Sequence, residues 1–413
     1  MMIRILHFAD LHLGVENYGK VDPQTGLSSR VRDFLNRLDE VVDFALREKV
    51  DLVVFAGDAF RDRHPEPTYQ RDFARRIARL AQKGVAVVLV AGNHDLPSML
   101  VKATSMDIFR ALEVKNVYVS ARQEEVLPIR LKRGRVLQVA TFPYVNRNRL
   151  LLSDEVRRRP LREQEEYLRT QIAQRLVHLA DQVDRSVPAV FVGHLTVLGA
   201  ELGSEQRMVL GSQPEALLGA VANPAYDAVL LGHVHRAQVV RPEAPPVLYA
   251  GSLERVDFGD EGLEKGFYLV EIDEERRQAS YRFVTLPARE FLTLEVDARR
   301  GEPMAMARRT IAGARQSGRL AGAVVRLHLQ VRLEDAGQVD AAALRKEMDE
   351  AFFVAGIAVD VERSDRVVFR GELERLAPME ALERYWIARG VSAARREVLL
   401  QHLRQVMEEG EAQ

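Results

Sequence analysis

Through the first half of the chain, short runs of consecutive apolar residues alternate with longer stretches in which apolar positions recur every three or four residues. The first pattern suits a buried strand and the second one face of a helix. Strands are expected at residues 3–9, 51–56, 85–90, 136–141, 189–192, 228–231 and 247–249, and helices at 32–49, 69–83 and 162–183. This βαβ rhythm predicts a layered α/β domain. From about residue 289 it restarts on a smaller scale, as β, α, β, α, β over 291–296, 304–316, 324–331, 341–352 and 358–362, enough for a compact α+β domain. Residues 378–413 read as helix, broken where Gly390 suits a C-cap and Ser392 an N-cap. There is no internal repeat of the solenoid or propeller kind.

Nearly every strand run of the first half ends in a polar cluster. In order these are Asp10-Leu11-His12-Leu13-Gly14, Gly57-Asp58-Ala59-Phe60, Gly92-Asn93-His94-Asp95, Gly193-His194 and Gly232-His233-Val234-His235. Five of the ten histidines fall in these turns, on the rim where open α/β sheets bind ligands. Asp10 and His12 are two apart, as are His233 and His235, so on an extended backbone each pair points to one side. Carboxylate, amide oxygen and imidazole together suit a divalent first-row metal better than calcium. The donors are too many for one tetrahedral ion but divide between two ions, with Asp58 as the natural bridge.

Composition removes several other readings. With no cysteine there is no disulfide framework, thiolate nucleophile or thiolate metal site, which fits a reducing cytoplasm. Lys+Arg 59 against Asp+Glu 60 leaves a net charge of −1, so any polyanion site must be local. The N-terminal apolar run enters Asp10 and His12 and is neither signal peptide nor membrane span. Hydrophobic residues at 47% and charged residues at 29%, over 413 residues, suit a globular protein of two or three domains. His7, His178, His328 and His402 read as mid-strand or helix-face residues without a chemical role.

Taken together, the five motifs resemble those of the calcineurin-like metallophosphoesterases. Within that superfamily the chain is similar to the nuclease subunits of double-strand-break repair complexes. The narrower likeness is carried by Asp10-Leu11-His12-Leu13-Gly14, by the insert with Asn17-Tyr18-Gly19, and by Gly251-Ser252-Leu253-Glu254-Arg255-Val256-Asp257-Phe258-Gly259. It is dense from residue 1 to about 272 and loose afterwards. The resemblance implies an α/β fold: a metallophosphoesterase β-sandwich flanked by helices (1–286), then a small α+β DNA-capping domain (287–370) and a C-terminal helical partner-binding segment (371–413). It implies one metal on Asp10, His12, Asp58 and His235 and a second on Asp58, Asn93, His194 and His233, manganese being the expected ion. His94 becomes the non-ligand catalytic histidine, with Asp95 fixing its tautomer and charge. Archaeal relatives carry histidine three residues after the bridging aspartate, where this chain has Arg61, followed by Asp62, Arg63 and His64. Arg61 can still hold a phosphate.

The implied activity is 3′ to 5′ exonuclease on double-stranded DNA ends and endonuclease on single strands and hairpins, with a long coiled-coil ATPase as partner. A small-molecule phosphodiesterase or phosphatase with the same metals, or a DNA-end scaffold with little catalysis, are the rival readings. Candidate DNA rims are residues 17–30, 61–64 and 252–255. Pro143-Tyr144 follows a strand and can place an aromatic ring near a base or pack in a loop. Phe73, Ile77 and Leu80 on one helix, with Ile108 and Leu112 on the next, suit either a homodimer contact or the chain's own core. Met379, Leu382 and Trp386, then Leu399, Leu403 and Val406, form two C-terminal stripes for docking onto the partner.

Overall fold

The computed structural model describes residues 2–97, 102–150, 154–203 and 215–362, and beyond these Leu382, Trp386, 395–397 and 399–400. Two six-stranded sheets stack face to face. The first has the order β14 (Gln278–Thr285), β13 (Gly266–Asp273), β1 (Met2–Phe8), β2 (Leu52–Phe55), β3 (Ala86–Val90), β4 (Val117–Ser120). The second runs β11 (Gln238–Arg241), β12 (Val247–Tyr249), β10 (Ala228–Gly232), β7 (Ala189–His194), β6 (Val136–Phe142), β5 (Glu125–Arg130). Strands β1 to β4 are parallel, as are β6, β7, β10 and β12. A short ladder pairs β8 (Thr196–Val197) with β9 (Glu215–Ala216).

Burial on both faces explains the continuous apolar runs. Alternate residues of β1 divide between two cores: Ile3 and Ile5 face the second sheet, with Val54, Val88, Val139, Val190 and Leu230, while Leu6 and Phe8 face the helices. Helix α1 (Ser29–Arg47) begins at an N-cap, where the Ser28 hydroxyl accepts from the Arg30 amide. Helix α2 (Pro67–Gln82) opens with proline at its first turn. Both lie on the outer face of the first sheet, and α4 (Leu161–Asp181) covers the second with Leu168, Ile172 and Leu176. The short α3 (Asp107–Ala111) lies between α2 and α4 in the chain.

The observed elements correct several expectations. The antiparallel strands β5, β11, β13 and β14, and the parallel edge strand β4, were not foreseen. Phe73, Ile77 and Leu80 are buried in the chain's own core, each contributing about 1.5–3 kcal/mol of burial, and are closed to a dimer contact. Ile108 and Leu112 on the α3 segment do stand exposed, at 51% and 70%.

Packing divides the chain into two compact units. Among the described residues the first comprises those of 2–295 with Arg308–His328 and Ala341–Ala358, and the second Val296–Ala307, Leu329–Asp340 and residues 359–362. The later elements are β15 (Phe291–Asp297), α5 (Pro303–Gln316), β16 (Val324–Arg332), α6 (Ala341–Glu347) and β17 (Phe353–Glu362), with the strands in the order β15-β16-β17. Within the second unit the Ala298 amide donates to the Gln330 carbonyl, and Arg299 pairs with Asp297. Met379, Leu403, Val406, His402 and the break at Gly390 and Ser392 lie outside the described residues; Leu382, Trp386 and Leu399 are helical. No described helix is long and apolar enough to cross a membrane.

His7 sits wholly buried between the sheets. Burial pushes its imidazole down to about 3, against a smaller opposing pull from the Leu231 carbonyl. A folded-state value below the unfolded one means that the unfolded chain binds the proton first, so this site loses stability as pH falls below about 6.5. The stability of wild type relative to His7→Leu in urea unfolding should therefore fall by about 2 kcal/mol between pH 7 and pH 5. A gap independent of pH would refute this.

Candidate metal centre

The polar clusters leave the carboxyl ends of β1, β2, β3, β7 and β10 and meet at one rim. Past β1 and β2 the chains stay paired: the Asp10 amide donates to the Gly57 carbonyl at 2.9 Å, and the His12 amide to the Asp58 carbonyl at 3.0 Å. They are not extended there, contrary to expectation. Asp10, His12, Asp58 and His233 have φ of 50°, 47°, 59° and 93°, in the left-handed region that non-glycine residues enter only when their surroundings hold them. Asp10 and His12 thus converge through two left-handed turns rather than through the alternation of a strand.

Their side chains form a continuous donor cluster. His12 Nε2 and His235 Nε2 lie 2.9 Å apart, and Asp58 Oδ2 lies 3.8 Å from His12 Nε2 and 3.3 Å from His194 Nε2. Asn93 Oδ1 is 3.0 Å from both His194 Nε2 and His233 Nδ1. Asp10, His12 and His235 make one compact set, and Asp58, His194 and His233 another. His194 Nδ1 faces the Ala56 carbonyl at 2.7 Å, which turns Nε2 toward the cluster. Two glycines make room: a Cβ on Gly57, whose φ is +100°, would collide with the His194 ring, and one on Gly92 with the Asp58 carboxylate.

The electrostatics are those that a cation site requires. Burial pushes the Asp10 carboxyl up to about 7, and Asp95 likewise. At Asp58 burial acts the same way, but the surrounding histidines, His194 foremost, outweigh it and hold the carboxyl well below its usual range. Burial alone would lower His194, yet the Asp58 carboxylate carries it up to about 9. Burial holds His12, His233 and His235 down, which favours the neutral imidazoles that ligate metals. Buried carboxylates, the neutral imidazoles of His12, His233 and His235, the His194 imidazole once it gives up the proton that Asp58 holds on it, and one amide oxygen are a fitting donor set for two divalent ions sharing Asp58.

His94 lies at the edge of this cluster, half-buried, its ring 5.0 Å from that of His12. Its amide donates to Asp58 Oδ1 at 2.8 Å, and its Nδ1 lies 2.7 Å from the Arg61 carbonyl. A carbonyl only accepts, so Nδ1 carries the hydrogen. This corrects the expected role of Asp95. That carboxylate does not hold His94: it accepts from the amides of Asp58 (2.8 Å), Ala59 (3.0 Å) and Gly92 (2.9 Å), pinning the second and third motifs together.

The candidate rims separate. Arg61, Asp62, Arg63 and His64 are exposed and, with Asn93 and His94, line a cleft of about 630 Å³. Residues 252–255 are buried instead: Arg255 donates to the carbonyls of Leu263, Ala288 and Arg289, so this stretch is scaffold rather than DNA rim. In the insert, Tyr18 packs against Phe258, Phe291 and Phe353, and the fully buried Arg30 stacks on Phe34 and Phe291. Tyr144 packs beside the donors themselves. Its ring lies 5.7 Å from that of His233 and 6.2 Å from that of His194, and its amide donates to the Ala91 carbonyl.

Sheet pair, strand-end turns and donor cluster define a class, and a family model described as calcineurin-like phosphoesterase matches residues 3–237. The chain belongs to the calcineurin-like phosphoesterase family. It is 31% identical over 274 residues to the SbcD subunit of the SbcCD nuclease of Escherichia coli K12, covering 65% of this chain and 64% of that protein. The Bacillus subtilis protein of the same name is 27% identical over 65% of this chain and 66% of its own length. The DNA double-strand break repair protein Mre11 of Archaeoglobus fulgidus is 24% identical over 71% of this chain and 62% of its own. The match thus spans a little under two thirds of these relatives.

Asp95 supplies the prediction here. Asp95→Ala leaves three buried amides unpaired, at about 1–3 kcal/mol each. Denaturant unfolding should show a loss of at least about 3 kcal/mol, and a loss below about 1 kcal/mol would contradict the pinning role.

Proposed function

We propose that the chain is the nuclease subunit of an SbcCD-type complex, a metal-dependent DNA phosphodiesterase serving repair and recombination in the cytoplasm. On this reading it is a 3′ to 5′ exonuclease on double-stranded ends and an endonuclease on single strands and hairpins. The observation that carries the reading is the opening of the donor cluster, beside His94, into a cleft bearing Arg61, Arg63 and His64. A local basic cleft is what a polyanionic substrate needs when net charge is near zero. The relatives named as nuclease subunits and a break-repair protein support the same substrate class.

Asp10, His12, Asp58 and His235 would hold one divalent ion and Asp58, Asn93, His194 and His233 the other, manganese being the ion we infer. When bound, such a pair supplies Lewis-acid stabilisation of charge on a phosphodiester. The chain's own residues do the rest. With the His94 Nδ1 hydrogen committed to the Arg61 carbonyl, Nε2 is the nitrogen left to face the phosphate, and it stabilises that phosphate or protonates the departing 3′ oxygen from the imidazolium form, in which Nε2 carries the second proton. Arg61, Arg63 and His64 steer and hold the flanking phosphates. Residues 287–370 cap the DNA and 371–413 bind the SbcC-type coiled-coil ATPase. Exposed Ile108 and Leu112 are the surface for a homodimer.

Cleavage of an end-labelled duplex with manganese tests this. Asp58→Asn should abolish activity, and His94→Gln should lower kcat by about 10²–10⁴ with metal binding retained. Arg61→Ala should raise KM severalfold and leave kcat within about threefold, because a main-chain carbonyl, not the Arg61 side chain, holds His94. Intact DNA beside rapid hydrolysis of a chromogenic phosphodiester would replace the nuclease by the small-molecule phosphodiesterase.

A further inference from the structure

Below the metal centre lies a charged side chain that none of this chemistry uses. Lys265, at the start of the loop-to-β13 junction, is only 1% exposed. Its ammonium contacts Asp260 Oδ1 at 3.0 Å, donates to Ser252 Oγ at 2.8 Å and donates to the main-chain carbonyl of His235 at 3.1 Å. That carbonyl also accepts from the Ser252 amide, and Ser252 in turn bridges to Ala9, the residue before Asp10. Asp260 is tied down as well, accepting from the Val256 amide at 2.9 Å.

A buried ion pair is weak evidence for stability, since hydrophobic groups of similar volume often serve as well or better. What an ammonium adds is three donors aimed at fixed points. Here they tie the two ends of the β11–β12 hairpin, at His235 and Ser252, to the turn that carries Asp260. One end carries His235; the other, through Ser252 and Ala9, abuts Asp10. These are the two sides of the Asp10, His12 and His235 donor set, in which His235 Nε2 stands 2.9 Å from His12 Nε2. Ligand positions in a metal site matter at the level of a few tenths of an ångström.

We propose that Lys265 is a positioning residue: through its ion pair with Asp260 it sets the main chain of His235, and so the affinity of the Asp10, His12 and His235 set for a divalent cation. This rests on the two-metal reading above, and the test separates the two. Calorimetric titration of the full chain with manganese would compare wild type with Lys265→Met, with Ser252→Ala, and with Lys265→Met/Asp260→Leu, which leaves no lone buried charge. Wild type should bind two ions. Lys265→Met and the double variant should lose about 10- to 100-fold affinity at one site, with the second site unchanged and, in the double variant, the melting temperature kept. Ser252→Ala should show a smaller loss at the same site. Should Lys265→Met fail to fold, the double variant and Ser252→Ala decide. Wild type binding fewer than two ions would overturn the metal reading itself. Two ions bound with unaltered affinity in the double variant, or equal weakening at both sites, would overturn the role of Lys265.

Discussion

A carboxylate in the protein interior, with no lysine or arginine against it among the described residues, is the constraint around which this molecule is arranged. Asp58 is 2% exposed, and the groups within reach of its oxygens are the His194 and His12 imidazoles and the His94 amide. Such burial is tolerable only with compensating charge and hydrogen bonds. The compensation comes from the ends of three other strands, β1 and β3 in the same sheet and β7 in the other, so the sheets must stack in register for the site to exist. The mainly apolar layer between them, Val54, Val88, Val190 and Leu230 among its members, provides that registration.

The same demand explains the strained turns. Four donor residues sit at positive φ, and each would relax if its loop were free. They are held by extending the β1–β2 pairing past its last strand residues, by Asp95 gripping three amides from two motifs, and by the His233 amide donating to the Asp10 carboxylate. The donors are therefore fixed largely through main-chain contacts, which do not depend on the ion. A site fixed in this way meets its ligand already organised.

This division also decides what could be read in the sequence. That Asp10, His12, Asp58, Asn93, His94, His194, His233 and His235 meet at one rim was legible because each lies at the end of an apolar run and because their side-chain chemistry is shared. The helices α1, α2 and α4 followed from their apolar spacing. Strands β5, β11 and β14 were not legible: one face of each is partly solvated, and their polar and apolar residues mix. Asp95 was misassigned because proximity in sequence to His94 says nothing about where a carboxylate turns. The burial of Arg255, Arg30 and Lys265 was hidden for a related reason: charge predicts exposure, and only the fold reveals the carbonyls and carboxylates that overrule it.

The contact between His94 Nδ1 and the Arg61 carbonyl bears on how the rim can vary. Had a side chain at position 61 oriented the histidine, that position would be tied to the chemistry. Because the acceptor belongs to the main chain, the turn after Asp58 can keep His94 oriented whatever side chain it carries. Position 61 is thus open to adjustment for substrate contact, and its exposed guanidinium faces the same cleft as Arg63 and His64. Fixed chemistry at the strand ends and a variable rim one turn away follow from a single hydrogen bond whose acceptor is backbone.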